Sequence, residues 1–153
     1  MRPTEQLMTV IQEARISLGI EKAQVEADFR DRLYLAQVAA SADDRFASPD
    51  HLDRVIELHR EKLHHLLKRW VELVTSLLRS RYGSVEQSDG DVIFTFAAKL
   101  VEVELASARE TLEKSFPDEV LEAGMNKLPG LQRDCLVGAA IEIGAAVNYR
   151  AGA

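Results

Sequence analysis

All four histidines of this 153-residue chain, His51, His59, His64 and His65, fall inside one stretch of fifteen residues. Imidazole changes charge near neutral pH, so such a cluster could move protons or ligate a metal. Metal sites in helical bundles often use Glu-x-x-His, because residues three apart project from the same helix face. Glu61-Lys62-Leu63-His64 has that spacing, but no second copy exists to complete a site, so no metal is expected. The single cysteine, Cys135, can form neither an internal disulfide nor a cysteine-based metal centre, and reads as a small buried hydrophobe. No phosphate-cradling glycine loop and no Gly-x-Ser-x-Gly elbow occurs, and no cofactor is expected.

A different chemistry is offered by Arg-x4-His, which occurs twice, as Arg54 with His59 and as Arg60 with His65. The spacing resembles that of HEPN ribonuclease domains, small all-helical dimers. The resemblance implies metal-independent RNA cleavage, with imidazole moving protons and guanidinium stabilising phosphorane charge. The match departs from the family pattern at its polar and aromatic positions: Val55 follows Arg54, Glu61 stands two residues past His59, Glu61 follows Arg60, and Leu67 stands two past His65. RNA is therefore a partner only under this alternative.

These residues sit on the element the rest of the chain must pack around. Residues 49–82 read as one long helix, with Ser48 as N-cap, Pro49 in the first turn and Gly83 as the stop. Leu52, Ile56, His59, Leu63, Leu66, Trp70, Leu73, Leu77 and Ser80 alternate at spacings of four and three, a heptad seam. Val55, Leu67 and Val74 widen the seam to the stripe of a bundle's central member. His59 lies on the seam, where it reads as a core residue. Burial disfavours imidazolium, so on this reading stability declines as pH falls through the unfolded pKa of about 6.5, and His59→Leu flattens that dependence.

Around this helix the pattern predicts a helix over residues 4–18 and another over 21–42, separated by Gly19 and folded as an antiparallel hairpin. DDRFAS, residues 43–48, reads as an acidic connection. Residues 83–96 divide the signals, since Val92-Ile93-Phe94-Thr95-Phe96 is strand-like and Gly83-Ser-Val with Gly90-Asp91 resembles the hairpin of class III nucleotide cyclases. Phe94, Ala97, Val101, Leu105, Ala108 and Leu112 make a helical stripe, which favours a helix over 91–115 with Ser88, Asp89 or Asp91 as its cap. A short helix follows Pro117, and a last one runs from Pro129 to about Tyr149. The expectation is an all-α fold, a single domain over residues 1–153, built as a bundle of five to six helices around the long one at about 49–82.

The formal net charge of −6 argues against a protein whose main work is holding phosphate backbones. Residues 49–82 carry seven basic and five acidic side chains, whereas residues 83–153 carry six basic and twelve acidic. Acidic outer helices beside a basic central one are the simplest use of that asymmetry, and an acidic face toward a basic partner is the other. No apolar run approaches the ~18 residues of a membrane span and no signal peptide opens the chain, so the expected compartment is the cytoplasm. The last helix is rich in small residues. Gly138, Ala140 and Gly144 would let another backbone approach closely, which predicts an interface, and a homodimer is the commonest partner for such a face. The leading function is thus a non-enzymatic helical protein–protein interaction module, of adaptor, inhibitor or antitoxin-like kind.

Overall fold

A computed structural model describes residues 2–42, 49–116 and 118–148. They form six helices: α1 (Thr4–Ser17), α2 (Gly19–Ala42), α3 (Pro49–Tyr82), α4 (Gln87–Ser115), α5 (Asp118–Met125) and α6 (Leu128–Val147). The protein is an all-α bundle, and no strand occurs among the described residues. The acidic connection at 43–48, the conformation of Pro117, the surroundings of His51 and the expected end at Tyr149 lie outside the described residues. No helix among them is long and apolar enough to cross a membrane.

Helix α3, about 50 Å long at 1.5 Å per residue, packs against α1, α2, α5 and α6, and more lightly on α4. Gly83, at φ +88°, stops it in the left-handed conformation expected of a glycine there. Its buried row begins on the heptad seam, with Leu52, Ile56, His59, Leu63, Leu66 and Trp70. Beyond Trp70 the row moves to Val71, Val74 and Leu78, while Leu73 and Leu77 are only half-buried and Ser80 is exposed. A straight helix of 3.6 residues per turn drifts about 20° per heptad against a strict 3.5 repeat. Over four heptads that drift carries the seam off the core face, which is why the stripe ends on different residues from those it began with.

The expected hairpin of the first two helices does not form. Leu18 keeps φ −98° and ψ 6°, its N–H donates to Ala14 O at 3.1 Å, and its carbonyl accepts from Lys22 N at 2.9 Å. Gly19 has no positive φ, so nothing reverses the chain, and α1 and α2 run on almost end to end, antiparallel to α3. Ion pairs mark the register: Glu13 with Arg81 at 2.5 Å, Glu21 with Arg69 at 2.8 Å, and Asp28 with Lys62 at 3.0 Å. Lys68 with Glu142 at 3.7 Å and Arg60 with Asp134 at 3.9 Å repeat the pattern toward α6. The basic central helix is thus flanked by acidic neighbours.

Helix α4 starts four residues earlier than its apolar stripe alone indicates. Glu86 and Asp89 form a capping box, Asp89 Oδ2 accepting from Glu86 N at 2.9 Å. Asp89 is 1% exposed and also accepts two 3.2 Å bonds from Arg2 Nε, while Arg2 Nη2 donates to Ser84 O at 2.7 Å and the guanidinium lies 4.8 Å from the Tyr82 ring centre. The start of the chain is thereby fastened to the α3–α4 turn. Gly90 allows α4 to approach α6, since a Cβ there would stand 3.0 Å from Ile143 Cγ2 and 3.1 Å from Val147 Cγ2.

Candidate functional site

The four residues of the two Arg-x4-His pairs face three different surroundings. His59 points inward from α3 toward α2 and α4, is 4% exposed, and stacks on Phe29 with ring centres 4.1 Å apart. Arg54 and Arg60 line a cleft of about 650 Å³ between α3 and the α5–α6 turn, together with Lys127, Arg133, Asp53, Glu57 and Asp134. His65 is exposed, in a groove between α2 and α3 beside Glu21, Lys62 and Arg69. Residues five apart on an α-helix are separated by about 140° around its axis, so neither arginine shares a face with its histidine. Arg60 is moreover engaged by Glu57, and Lys127 by Asp53 at 3.4 Å. The pairs do not converge on one reacting centre within the chain.

The most unusual chemistry lies at His59. A cavity of about 50 Å³ is lined by His59, by Glu26, Phe29 and Arg30 of α2, and by Glu104, Ser107, Ala108 and Thr111 of α4. Glu104 is 2% exposed. Lys22 Nζ lies 3.1 Å from Glu104 Oε1 and 3.2 Å from Glu26 Oε1, so a single ammonium serves two carboxylates. The Glu104 and Glu26 carboxyls are also within hydrogen-bond reach of one another, and both ring nitrogens of His59 have no hydrogen-bond partner among the described residues. Burial pulls the His59 pKa down from 6.5 to about 4, against the opposing pull of Asp28 and Glu26. Burial, reinforced by the adjoining Glu26, pushes Glu104 up from 4.5 to about 7, and Lys22 only partly offsets it. No group of three or more His, Cys, Asp or Glu in metal-binding geometry occurs among the described residues. The α4 stripe places the apolar face at Val101, Leu105 and Ala108 with Glu104 beside it, so the pattern alone reads Glu104 as a solvated carboxylate, and the structure instead buries it. The one available signal is that position 104 lies three residues from Val101 and four from Ala108, on the shoulder of the stripe.

The small residues of α6 take separate roles. At Gly138 a Cβ would stand 2.2 Å from His64 Cε1, so the close neighbour there is an imidazole of the same chain and not a second backbone. Gly138→Leu is expected to cost about 1–3 kcal/mol by overpacking, read from urea unfolding, and His64→Ala in the same chain should recover much of it. At Gly144 a Cβ would meet nothing within 4 Å. Ala140 and Gly144 border a trough of about 190 Å³ shared with Gly90, Asp91 and Phe94 of α4. Around it Phe94 is 37% exposed, Val137 53% and Ile141 65%. Cys135 is fully buried, and burial raises its thiol pKa to about 11, as suits an inert core side chain. Comparison with known protein families, with characterised proteins and with solved structures gives no match for this chain.

Proposed function

We propose that the protein is a non-enzymatic helical interaction module, acting in the cytoplasm as an adaptor, inhibitor or antitoxin-like partner, and that it works as a homodimer joined through α6. What carries this is the surface around Ala140 and Gly144: Val137, Ile141 and Phe94 leave large apolar area in water, and among the described residues no side chain covers Gly144. Contiguous apolar patches on a protein surface mark contact sites. Arg133, Val137, Ala140 and Gly144 follow one another at spacings of four, three and four, a row that can meet its own copy across a two-fold axis. With that axis near Ala140, two antiparallel α6 helices bring Arg133 of one subunit toward Asp91 of the other, since Asp91 borders the trough at the far end of α6. Opposite charges at the ends of an apolar row fix its register.

A second exposed set, Ile16, Ile20, Tyr34, Leu35 and Val38 on α1 and α2, is 47–75% exposed and leaves an apolar face for a different protein. The acidic row of α4, with Glu102, Glu110 and Glu113 in solvent, favours a partner carrying basic side chains.

Light scattering at micromolar concentration should give a dimer. Ile141→Asp and Gly144→Leu should each produce a monomer with unchanged helicity, because neither position is needed to fill the core. A wild-type monomer over that range discards the self-association. A dimer that survives both changes but is lost in Ile20→Asp moves the interface to α1–α2.

A further inference from the structure

Buried polar atoms in folded proteins almost always find partners, in protein or in ordered water. The cavity between α2, α3 and α4 gathers two such atoms that the described residues do not satisfy, Nδ1 and Nε2 of His59, beside the 2% exposed carboxyl of Glu104, whose Oε1 lies 3.1 Å from Lys22 Nζ. Phe29 stacked on the imidazole fixes the ring plane, so its nitrogens cannot swing out to solvent while α2 is in place. A water needs about 10–15 Å³ of centre-accessible space and two to four polar partners. The cavity offers about 50 Å³, with His59, Glu104, Ser107 and Thr111 on its wall.

Charge balance decides where a proton sits. The groups facing the cavity are Lys22, Glu26, Asp28 and Arg30 from α2, Lys62 from α3 and Glu104 itself from α4. Lys62 is bound to Asp28 at 3.0 Å, and Arg30 acts on Glu26. Lys22 is then the one ammonium between two carboxylates, of which Glu26 is 37% exposed by side chain and Glu104 2%. The more exposed carboxylate keeps its charge at less cost, so the buried one takes the proton.

We propose that this cavity is a hydrated proton-holding site, in which one or two ordered water molecules join the His59 imidazole to a protonated Glu104 carboxyl, and that the joined pair latches α2 onto the α3–α4 face. A neutral imidazole supplies one donor and one acceptor, and water can carry both to the Glu104 carboxyl, which also hydrogen-bonds Glu26. The latch matters most for α2. Over the described side chains of that helix, only Phe29, Leu33 and Ala36 are buried apolar groups. The raised Glu104 pKa, about 7, agrees with a carboxyl that keeps its proton at pH 6.

The test uses the full chain. Infrared difference spectra between wild type and Glu104→Gln at pH 6 should show one protonated-carboxyl C=O band in the wild type, and water-selective NMR should show a long-lived water beside the His59 ring protons. Hydrogen exchange should then find α2 amide protection, relative to α6, constant within about threefold from pH 6.5 to 5 in the wild type. In Glu104→Gln it should fall about tenfold per pH unit over that range, one proton's worth of linkage. An ionised Glu104 at pH 6 or a dry cavity overturns the site. Parallel changes of α2 and α6 in the variant overturn the latch.

Discussion

Truncating Leu66 to Ala should lower the unfolding free energy by about 2–5 kcal/mol, while Leu73→Ala should cost only about 1 kcal/mol. Both side chains occupy equivalent places in the heptad seam, and a strict coiled-coil reading makes them equal. In the folded chain Leu66 is 4% exposed, in a core it shares with Leu63 and Trp70, whereas Leu73 packs against the edge of the core from a half-exposed position. Removing three heavy atoms from a site closed on all sides loses transfer energy and leaves a cavity, but at the edge solvent fills the gap. Urea unfolding at constant m-value reads the difference. Equal losses from the two variants would place the drift of the buried row after Leu73, not after Trp70.

The same drift shows how far the fold was legible beforehand. Pro49, Gly83 and the apolar spacing bounded α3 correctly, and the Phe94–Leu112 stripe outweighed the strand-like Val92–Phe96 because helical periodicity persists over about five turns. Local signals failed where the outcome depended on tertiary contacts. Gly19 reads as a hinge, yet a glycine permits a reversal without imposing one, and α1 and α2 gain more by lying end to end along α3, where Glu13, Glu21 and Asp28 meet its basic side chains. Gly138 and Gly144 look alike in the sequence. Only the position of His64 one helix away separates a filled glycine from an open one. The pairing of Arg2 with Asp89 spans 87 positions, a separation at which spacing carries no information.

Of the candidate chemistry, the burial of His59 followed from its seam position, whereas the neighbours that define its site did not. Phe29 and Glu104 reach it from helices whose rotation about their own axes is set by packing. The Arg-x4-His spacing does not by itself bring its residues together within the chain: five residues turn an α-helix by about 140° beyond a full turn, so a motif that is compact in sequence is divided between faces. Arg54 and Arg60 belong to the α5–α6 cleft and His59 to the α2–α4 cavity.

Replacing His59 by Leu should not flatten the pH dependence of stability but expose one of opposite sign. His59 has a folded pKa of about 4 against 6.5 unfolded, so the unfolded chain takes up a proton that the folded chain refuses. That contribution is fully present above about pH 6.5 and is lost as pH falls toward 4, by about 3 kcal/mol at 1.36 kcal/mol per pKa unit. Glu104 has a folded pKa of about 7 against 4.5, so the folded chain holds a proton that the unfolded chain releases. Its contribution is full below about pH 4.5 and is lost as pH rises through 7, by a similar amount. Between about pH 4.5 and 6.5 the two slopes cancel: folding transfers one proton from imidazole to carboxyl with no net uptake. The wild type should therefore vary by less than about 1 kcal/mol from this pair over that window. His59→Leu keeps only the Glu104 slope and should lose about 3 kcal/mol between pH 4.5 and 7.5, whereas Glu104→Gln keeps only the histidine slope and should lose as much between pH 6.5 and 4. Asp28 and Glu57, held below the usual carboxylate range by Lys62 and Arg32 and by Arg60 respectively, add acid sensitivity common to all three proteins, so differences between chains carry the result. Denaturant unfolding at half-unit pH steps checks it. Parallel profiles for wild type and Glu104→Gln would mean that Lys22 keeps Glu104 ionised, and that His59 stands as a lone buried base.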